Sequence, residues 1–158
     1  EGKKTPEYMA KIRPAFFEYY DKHLADATLP YTGMAQLLAQ LQKRGIKLAV
    51  ASNKYQSATE RLVKHFFPDI HFTAVLGQRE GIPVKPDPTI VNDILFVAGC
   101  AREDVLYVGD SDVDMQTAKN AGVRVCGVLW GFRTREVLAE YQPDYLTAAP
   151  NEILDMVM

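Results

Sequence analysis

The chain has 158 residues, 47% hydrophobic, 24% charged and 10% aromatic, with a net charge of −2; this suits one globular domain with an appendage and excludes collagen-like, disordered and coiled-coil classes. A domain of this size can bury roughly 68–70% of its unfolded surface without disulfide staples. The weak negative balance provides no broad basic field for nucleic acid or an anionic membrane, so an anionic ligand requires a local site.

In chain order, Met9, Ile12, Phe16, Tyr20 and Leu24 recur at helical spacing and predict a helix over Pro6–Ala27. The Pro and Gly of Leu29-Pro30-Tyr31-Thr32-Gly33 mark a linker. A second helical stripe, Met34, Leu37, Leu38 and Leu41, stops at Gly45, and the near-continuous apolar run Ile46–Ala51 reads as a strand buried on both faces. The alternation continues with a helix near Tyr55–Phe67, a strand at Thr73–Leu76, a helix near Pro88–Ala98 and a strand at Val105–Val108. It closes with a helix at Asp112–Ala121, a strand at Arg124–Leu129, a helix near Thr134–Tyr141, an extended piece at Asp144–Thr147 and a turn from Pro150. Such alternation predicts an α/β protein, with a three-layer Rossmann-like parallel sheet and helices on both faces.

Ligands of open parallel sheets bind outside the carboxyl ends of the strands. The first strand ends in Ser52-Asn53, a hydroxyl and an amide suited to an oxyanion or, equally, to capping the next helix. Val105–Val108 ends in Gly109-Asp110-Ser111-Asp112-Val113-Asp114. Three carboxylates in five residues call for a cation, and hard oxygen ligands suit Mg²⁺; helix capping accounts for one or two of them. Between these strands, Lys85 lies in Val84-Lys85-Pro86-Asp87-Pro88, where the following proline restricts its backbone. An ammonium held beside a metal carboxylate is what a phosphate dianion needs. Trp130-Gly131-Phe132-Arg133 follows a strand end, with Arg133 within reach of an anionic substrate or simply solvated. His23, His65 and His71 have no mutual metal-ligand spacing.

Taken together, Ser52-Asn53 after a strand, Lys85-Pro86 in a loop and Gly109-Asp110-Ser111-x-x-Asp114 after a further strand resemble, in order, the second, third and fourth motifs of the haloacid dehalogenase superfamily. The branch most similar is the phosphoglycolate-phosphatase type. The likeness extends from Tyr31 to about Met158 and places residues 1–29 as the end of a helical cap and 30–158 as the core; Pro30-Tyr31-Thr32-Gly33 departs from the family's usual Pro-x-Pro-Gly linker. The resemblance implies Mg²⁺-dependent hydrolysis of a small phosphorylated metabolite through an aspartyl-phosphate. It implies that Ser52 and the Asn53 backbone bind phosphoryl oxygens, that Lys85 neutralises phosphate and nucleophile, that Asp110 ligates Mg²⁺, and that Asp114 supports the metal and orients Lys85.

The family's first motif, Asp-x-Asp-Gly-Thr, supplies nucleophile and general acid, and it is absent from these 158 residues. Asp110-Ser111-Asp112 cannot replace it, because only the helical Thr117 and Lys119 follow it as Ser and Lys motifs. The missing strand belongs centrally, between the Ser-bearing and Asp-bearing strands, so a sheet without its middle is expected. Three remedies follow: a longer parent protein, which the start at Glu1 within the cap favours; a strand or second copy supplied by another chain; or a different sheet closure. The expected protein is an inactive phosphatase fragment. A catalytically silent phosphate-binding module and a phosphomutase are the alternatives. Two cysteines outside any Cys-x-x-Cys pattern, and no bilayer-length apolar stretch or leader, point to the cytoplasm.

Overall fold

The computed structural model describes residues 5–157. Helix α1 spans Pro6–Lys22, and α2 spans Met34–Lys43. Strand β1 (Leu48–Tyr55) leads through α3 (Gln56–Phe66) to β2 (Phe72–Gln78). After α4 (Thr89–Ala98) come β3 (Leu106–Gly109), α5 (Asp112–Ala121), β4 (Arg124–Val128), α6 (Arg135–Ala139) and β5 (Tyr145–Thr147). A 3-10 turn, Pro150–Asp155, ends the described chain.

The α/β expectation holds, and every strand pair is parallel. Among the described residues the strands form two sheets, β1-β2 and β3-β4-β5, with no ladder between β1 and β3. The two sheets nevertheless share their covering layers. On one face, Ile90, Val91 and Leu95 of α4, Met115 and Ala118 of α5 and Leu138 of α6 pack with Ala51, Leu76, Tyr107, Val125 and Leu146, one residue from each strand. On the other, Leu37 and Leu41 of α2 and Ile153 and Leu154 of the terminal turn cover Leu48, Phe72, Leu106, Cys126 and Tyr145. The period of two carries neighbouring residues such as Leu106 and Tyr107 to opposite faces, which is why strands covered on both sides read as continuous apolar runs.

The boundary between β1 and α3 departs from expectation. β1 continues four residues past Ala51, so Ser52 and Asn53 lie within the strand, and its pairing with β2 is irregular between Ala51 and Tyr55. The N-cap of α3 is Tyr55, so neither Ser52 nor Asn53 caps that helix. α1 ends at Lys22 rather than near Ala27, and α6 is shortened to five residues. The helix at Asp112–Ala121 forms as read, and Gly45 takes the left-handed conformation, φ 75°, that closes α2.

Leu138 has no exposed surface. Leu138→Ala is expected to lower the unfolding free energy by about 3 kcal/mol, because the transfer and cavity terms add. Phe96→Ser on the outer surface of α4, where Phe96 is 90% exposed, should shift it by less than about 0.5 kcal/mol. Urea unfolding midpoints of the two variants provide the comparison.

Candidate functional site

Lys85 sits in the loop between β2 and α4, and its Nζ is held by three acceptors. It donates to the Ala51 carbonyl of β1 at 3.0 Å, to the Tyr107 hydroxyl of β3 at 3.2 Å and to Asp114 Oδ1 of α5 at 2.7 Å. Both Lys85 and Asp114 side chains are only 11% exposed. Asn53 fixes the loop itself, its amide donating to the Lys85 carbonyl at 3.0 Å while its Oδ1 accepts the Lys85 N–H at 2.8 Å. The expected role of Asn53 was a backbone contact to phosphate, whereas its side chain ties the Ser-bearing strand to the Lys-bearing loop. Asn120 adds a bond to the Pro86 carbonyl at 2.9 Å, and the Lys85–Pro86 peptide is cis.

Asp114 is fully engaged. Oδ1 accepts from Lys85 and from the Tyr107 hydroxyl at 3.0 Å, and Oδ2 accepts from Ser111 Oγ at 2.6 Å and from the Ser111 N–H. Ser111 Oγ in turn accepts the Asp114 N–H, so the two residues form a reciprocal cap on α5. The capping reading of this acidic run therefore holds for Asp114, together with its bond to Lys85. Gly109 permits the arrangement, since a Cβ there would lie 2.3 Å from Asp114 Cβ. Burial acts to raise the Asp114 pKa, but the Lys85 charge and hydrogen bond, with those of Ser111 and Tyr107, outweigh it and hold the carboxyl below its ordinary value. Tyr107 is driven strongly upward, first by burial and then by the Asp114 charge, so its hydroxyl stays protonated.

Asp112 pairs with Arg133, Nε to Oδ1 at 2.8 Å, and this bond lowers its pKa. Arg133, read above as within reach of a substrate anion, is thus committed to a carboxylate and stacked on Phe132. Asp110 faces the same loop: its Oδ2 accepts from the Phe132 N–H at 3.1 Å and its carbonyl from the Arg133 N–H. Gly131 makes room, because a Cβ there would meet Asp110 Cβ at 2.2 Å. Lys85 and Arg133 neutralise Asp114 and Asp112, two of the three clustered carboxylates, and the expected call for a further cation rests on Asp110.

Asp110 retains one carboxylate oxygen, Oδ1, without a hydrogen-bond partner among the described residues. No group of three or more His, Cys, Asp or Glu able to hold a metal occurs among those residues. One open carboxylate fits Mg²⁺, which takes one or two protein carboxylates and keeps several waters, but it is not a complete metal site. Ser52 lies in the irregular stretch of β1, its Oγ accepting the Lys54 N–H at 3.1 Å.

Two participants escaped the sequence reading. Tyr107 reads from the sequence as a strand residue, its one signal a hydroxyl in the otherwise aliphatic run Val105–Val108. The Asn53 side chain had no signal, because its partner is a backbone 32 residues away.

The haloacid dehalogenase-like hydrolase family model matches residues 2–128. A phosphoglycolate phosphatase of Mesorhizobium japonicum is 34% identical over 133 residues, covering 84% of this chain and 58% of that protein. Pyrophosphatase PpaX of Listeria monocytogenes is 29% identical over 153 residues, 97% of this chain and 70% of the relative. Among solved structures, a predicted phosphoglycolate phosphatase from Haemophilus somnus superposes with a TM-score of 0.88 at 26% identity, over 98% of this chain and 68% of that one. CbbY from Rhodobacter sphaeroides, in complex with phosphate, superposes with a TM-score of 0.80 at 27% identity, over 97% and 69%. The chain thus spans little more than half the length of the Mesorhizobium protein.

A depressed carboxyl stabilises the fold at pH values above its unfolded pKa, and that contribution is lost as the pH falls through the folded value. The Asp114 contribution should therefore be intact at neutral pH and decline below about pH 4, near the ordinary carboxylate value. Asp114→Asn should cost about 3 kcal/mol at pH 7, because it leaves Lys85 without its buried anion. It should also flatten the acid limb of stability. Urea titrations of both proteins between pH 7 and pH 3 check the two expectations.

Proposed function

Because the chain belongs to the haloacid dehalogenase-like hydrolase family, we propose that it carries the phosphate-binding half of a phosphatase site for a small phosphorylated metabolite of the phosphoglycolate type. The observation that carries this reading is the Lys85 ammonium, fixed between Ala51 of β1, Tyr107 of β3 and Asp114 of α5. A cation placed before the substrate arrives needs no reorganisation during reaction, and phosphoryl transfer depends mostly on placement and charge neutralisation.

In this reading Ser52 Oγ and the Asn53 N–H donate to the phosphoryl oxygens, Lys85 neutralises them, and Asp114 with Tyr107 aims Lys85. Asp110 is this chain's ligand for Mg²⁺, which would add positive charge against the phosphoryl group. Residues 1–29 are read as the end of a helical cap and 30–158 as the core. The edges of β1 and β3, which share covering helices but no ladder, support a strand carrying Asp-x-Asp-Gly-Thr between them, supplied by further polypeptide or by another chain. That motif would provide nucleophile and general acid, and without it these 158 residues bind phosphate but do not turn it over. Two free cysteines support a reducing compartment such as the cytoplasm; no helix among the described residues is long and apolar enough to cross a membrane.

A second reading, a catalytically silent phosphate-binding module, is favoured by the same missing motif. A phosphomutase would use the same core groups and differ mainly in its cap.

Calorimetric titration of the 158-residue chain with inorganic phosphate in the presence of Mg²⁺ should show binding, weakened about tenfold by Ser52→Ala. Ser52→Ala is preferable to Lys85→Ala, which also strands the Asp114 carboxylate. The chain should release no phosphate from 2-phosphoglycolate, and a version extended by an Asp-x-Asp-Gly-Thr strand should do so. Turnover by the unextended chain would sink the incomplete-site reading, and undetectable phosphate binding would remove the phosphatase reading. An extended version that binds without turnover would favour the silent module.

A further inference from the structure

Asp110 takes its orientation from the loop that follows β4. Its Oδ2 accepts the Phe132 N–H at 3.1 Å, and its carbonyl accepts the Arg133 N–H at 3.1 Å. The Arg133 side chain bonds Asp112, the first residue of α5, Nε to Oδ1 at 2.8 Å. One residue thus grips the β3–α5 junction at two points, by its backbone at Asp110 and by its side chain at Asp112.

The loop has few other anchors. Trp130 packs beside the apolar layer that includes α2, whereas Phe132 is 78% exposed. Gly131 between them carries no side chain and has no room for one, since a Cβ would lie 2.2 Å from Asp110 Cβ. A glycine leaves the backbone free to take other conformations, so the two N–H groups beyond it stay on Asp110 only if something further along the loop is tied down. Between Trp130 and α6, Arg133 is the only side chain hydrogen-bonded to another element among the described residues. Its pair with Asp112 is part-exposed and adds little stability. Its geometric consequence is larger, because groups that orient a metal-binding carboxylate commonly change metal affinity tenfold or more.

Charge alone gives a different expectation. The guanidinium is a cation beside the oxygen proposed for Mg²⁺, and its removal leaves the Asp112 carboxylate uncompensated two residues from Asp110. By Coulomb's law, loss of Arg133 tightens a divalent cation and loss of Asp112 loosens it. Orientation requires that both losses loosen it.

We infer that Arg133 is a positioning residue for Asp110: paired with Asp112, it holds the Phe132 and Arg133 N–H groups on Asp110 so that Oδ1 stays open to a divalent cation. The inference rests on Asp110 being this chain's Mg²⁺ ligand, and it adds how that ligand is aimed and which ion pair aims it.

The test is Mn²⁺ binding to the 158-residue chain, followed by water-proton relaxation with Mg²⁺ as competitor, because carboxylate and water ligands suit both ions. Asp110→Asn should abolish the binding. Arg133→Gln and Asp112→Asn should each weaken it about tenfold, and the double variant should be no weaker than either, since the two changes break one contact. Arg135→Gln removes the same charge from an exposed residue that forms no ion pair among the described residues, and it should leave affinity within twofold. Urea midpoints of the Arg133 and Asp112 variants should match the wild type. Unchanged or tighter binding in Arg133→Gln, additive losses in the double variant, an equal loss in Arg135→Gln, or weakening that comes with a lowered urea midpoint would each overturn the positioning role while leaving Asp110 as the metal ligand. Absence of Mn²⁺ binding by the wild type, or its retention in Asp110→Asn, would overturn both.

Discussion

The arrangement depends on one buried ion pair. Lys85 Nζ and Asp114 Oδ1 lie 2.7 Å apart, and the same amine bonds the Ala51 carbonyl in one sheet and the Tyr107 hydroxyl in the other. Where β1 and β3 form no ladder, this amine is a direct polar link between the sheets. A buried ion pair is stabilising only when good geometry and further hydrogen bonds offset desolvation. Here Tyr107, Ser111 and the Ala51 carbonyl fill the remaining positions, so both charges persist and the ammonium keeps one orientation. The Asn53 clamp prevents the loop from carrying Lys85 away.

The acidic run after β3 divides its labour among cations already in the chain. Asp114 goes to Lys85 and Asp112 to Arg133, while the N–H groups of the loop beyond β4 hold Asp110 by Oδ2 and by its carbonyl. Two glycines make these close approaches sterically feasible, Gly109 beneath Asp114 and Gly131 beneath Asp110. What remains of the run is Asp110 Oδ1, which has no donor among the described residues. Among the described residues this leaves the Lys85 ammonium, the Ser52 hydroxyl and one Asp110 carboxylate oxygen as the groups on which the proposed phosphate and Mg²⁺ contacts rest.

Packing and backbone pairing give different accounts of completeness. Both apolar layers run across all five strands, so the side-chain core is continuous. The backbone is not, because among the described residues β1 and β3 each pair on one edge alone, and Val108 of β3 remains 41% exposed. Unpaired strand edges at the middle of a covered layer are unfavourable, whereas edges at its rim are common. Helix α1 stands apart from both layers: none of its residues is buried, and it meets the core through Tyr20 and Asp21.

Much of this was legible in local pattern. Apolar runs of four to six residues marked the buried strands, three-and-four spacing marked the helices, and glycines such as Gly45 marked their ends, because these signals depend on neighbours within a few residues. Ser52, Lys85, Asp110 and Asp114 stood out for the same reason, as polar residues ending or linking apolar strands. The partners of each polar group were decided only by tertiary structure. The bond of Lys85 to Asp114 spans 29 residues and that of Asn53 to Lys85 spans 32, and no local periodicity records which distant side chain shares a buried charge. Likewise, three adjacent acids by themselves determined a need for positive charge, while the fold determined that lysine and arginine supply most of it, because charge compensation depends on distance in space and not along the chain.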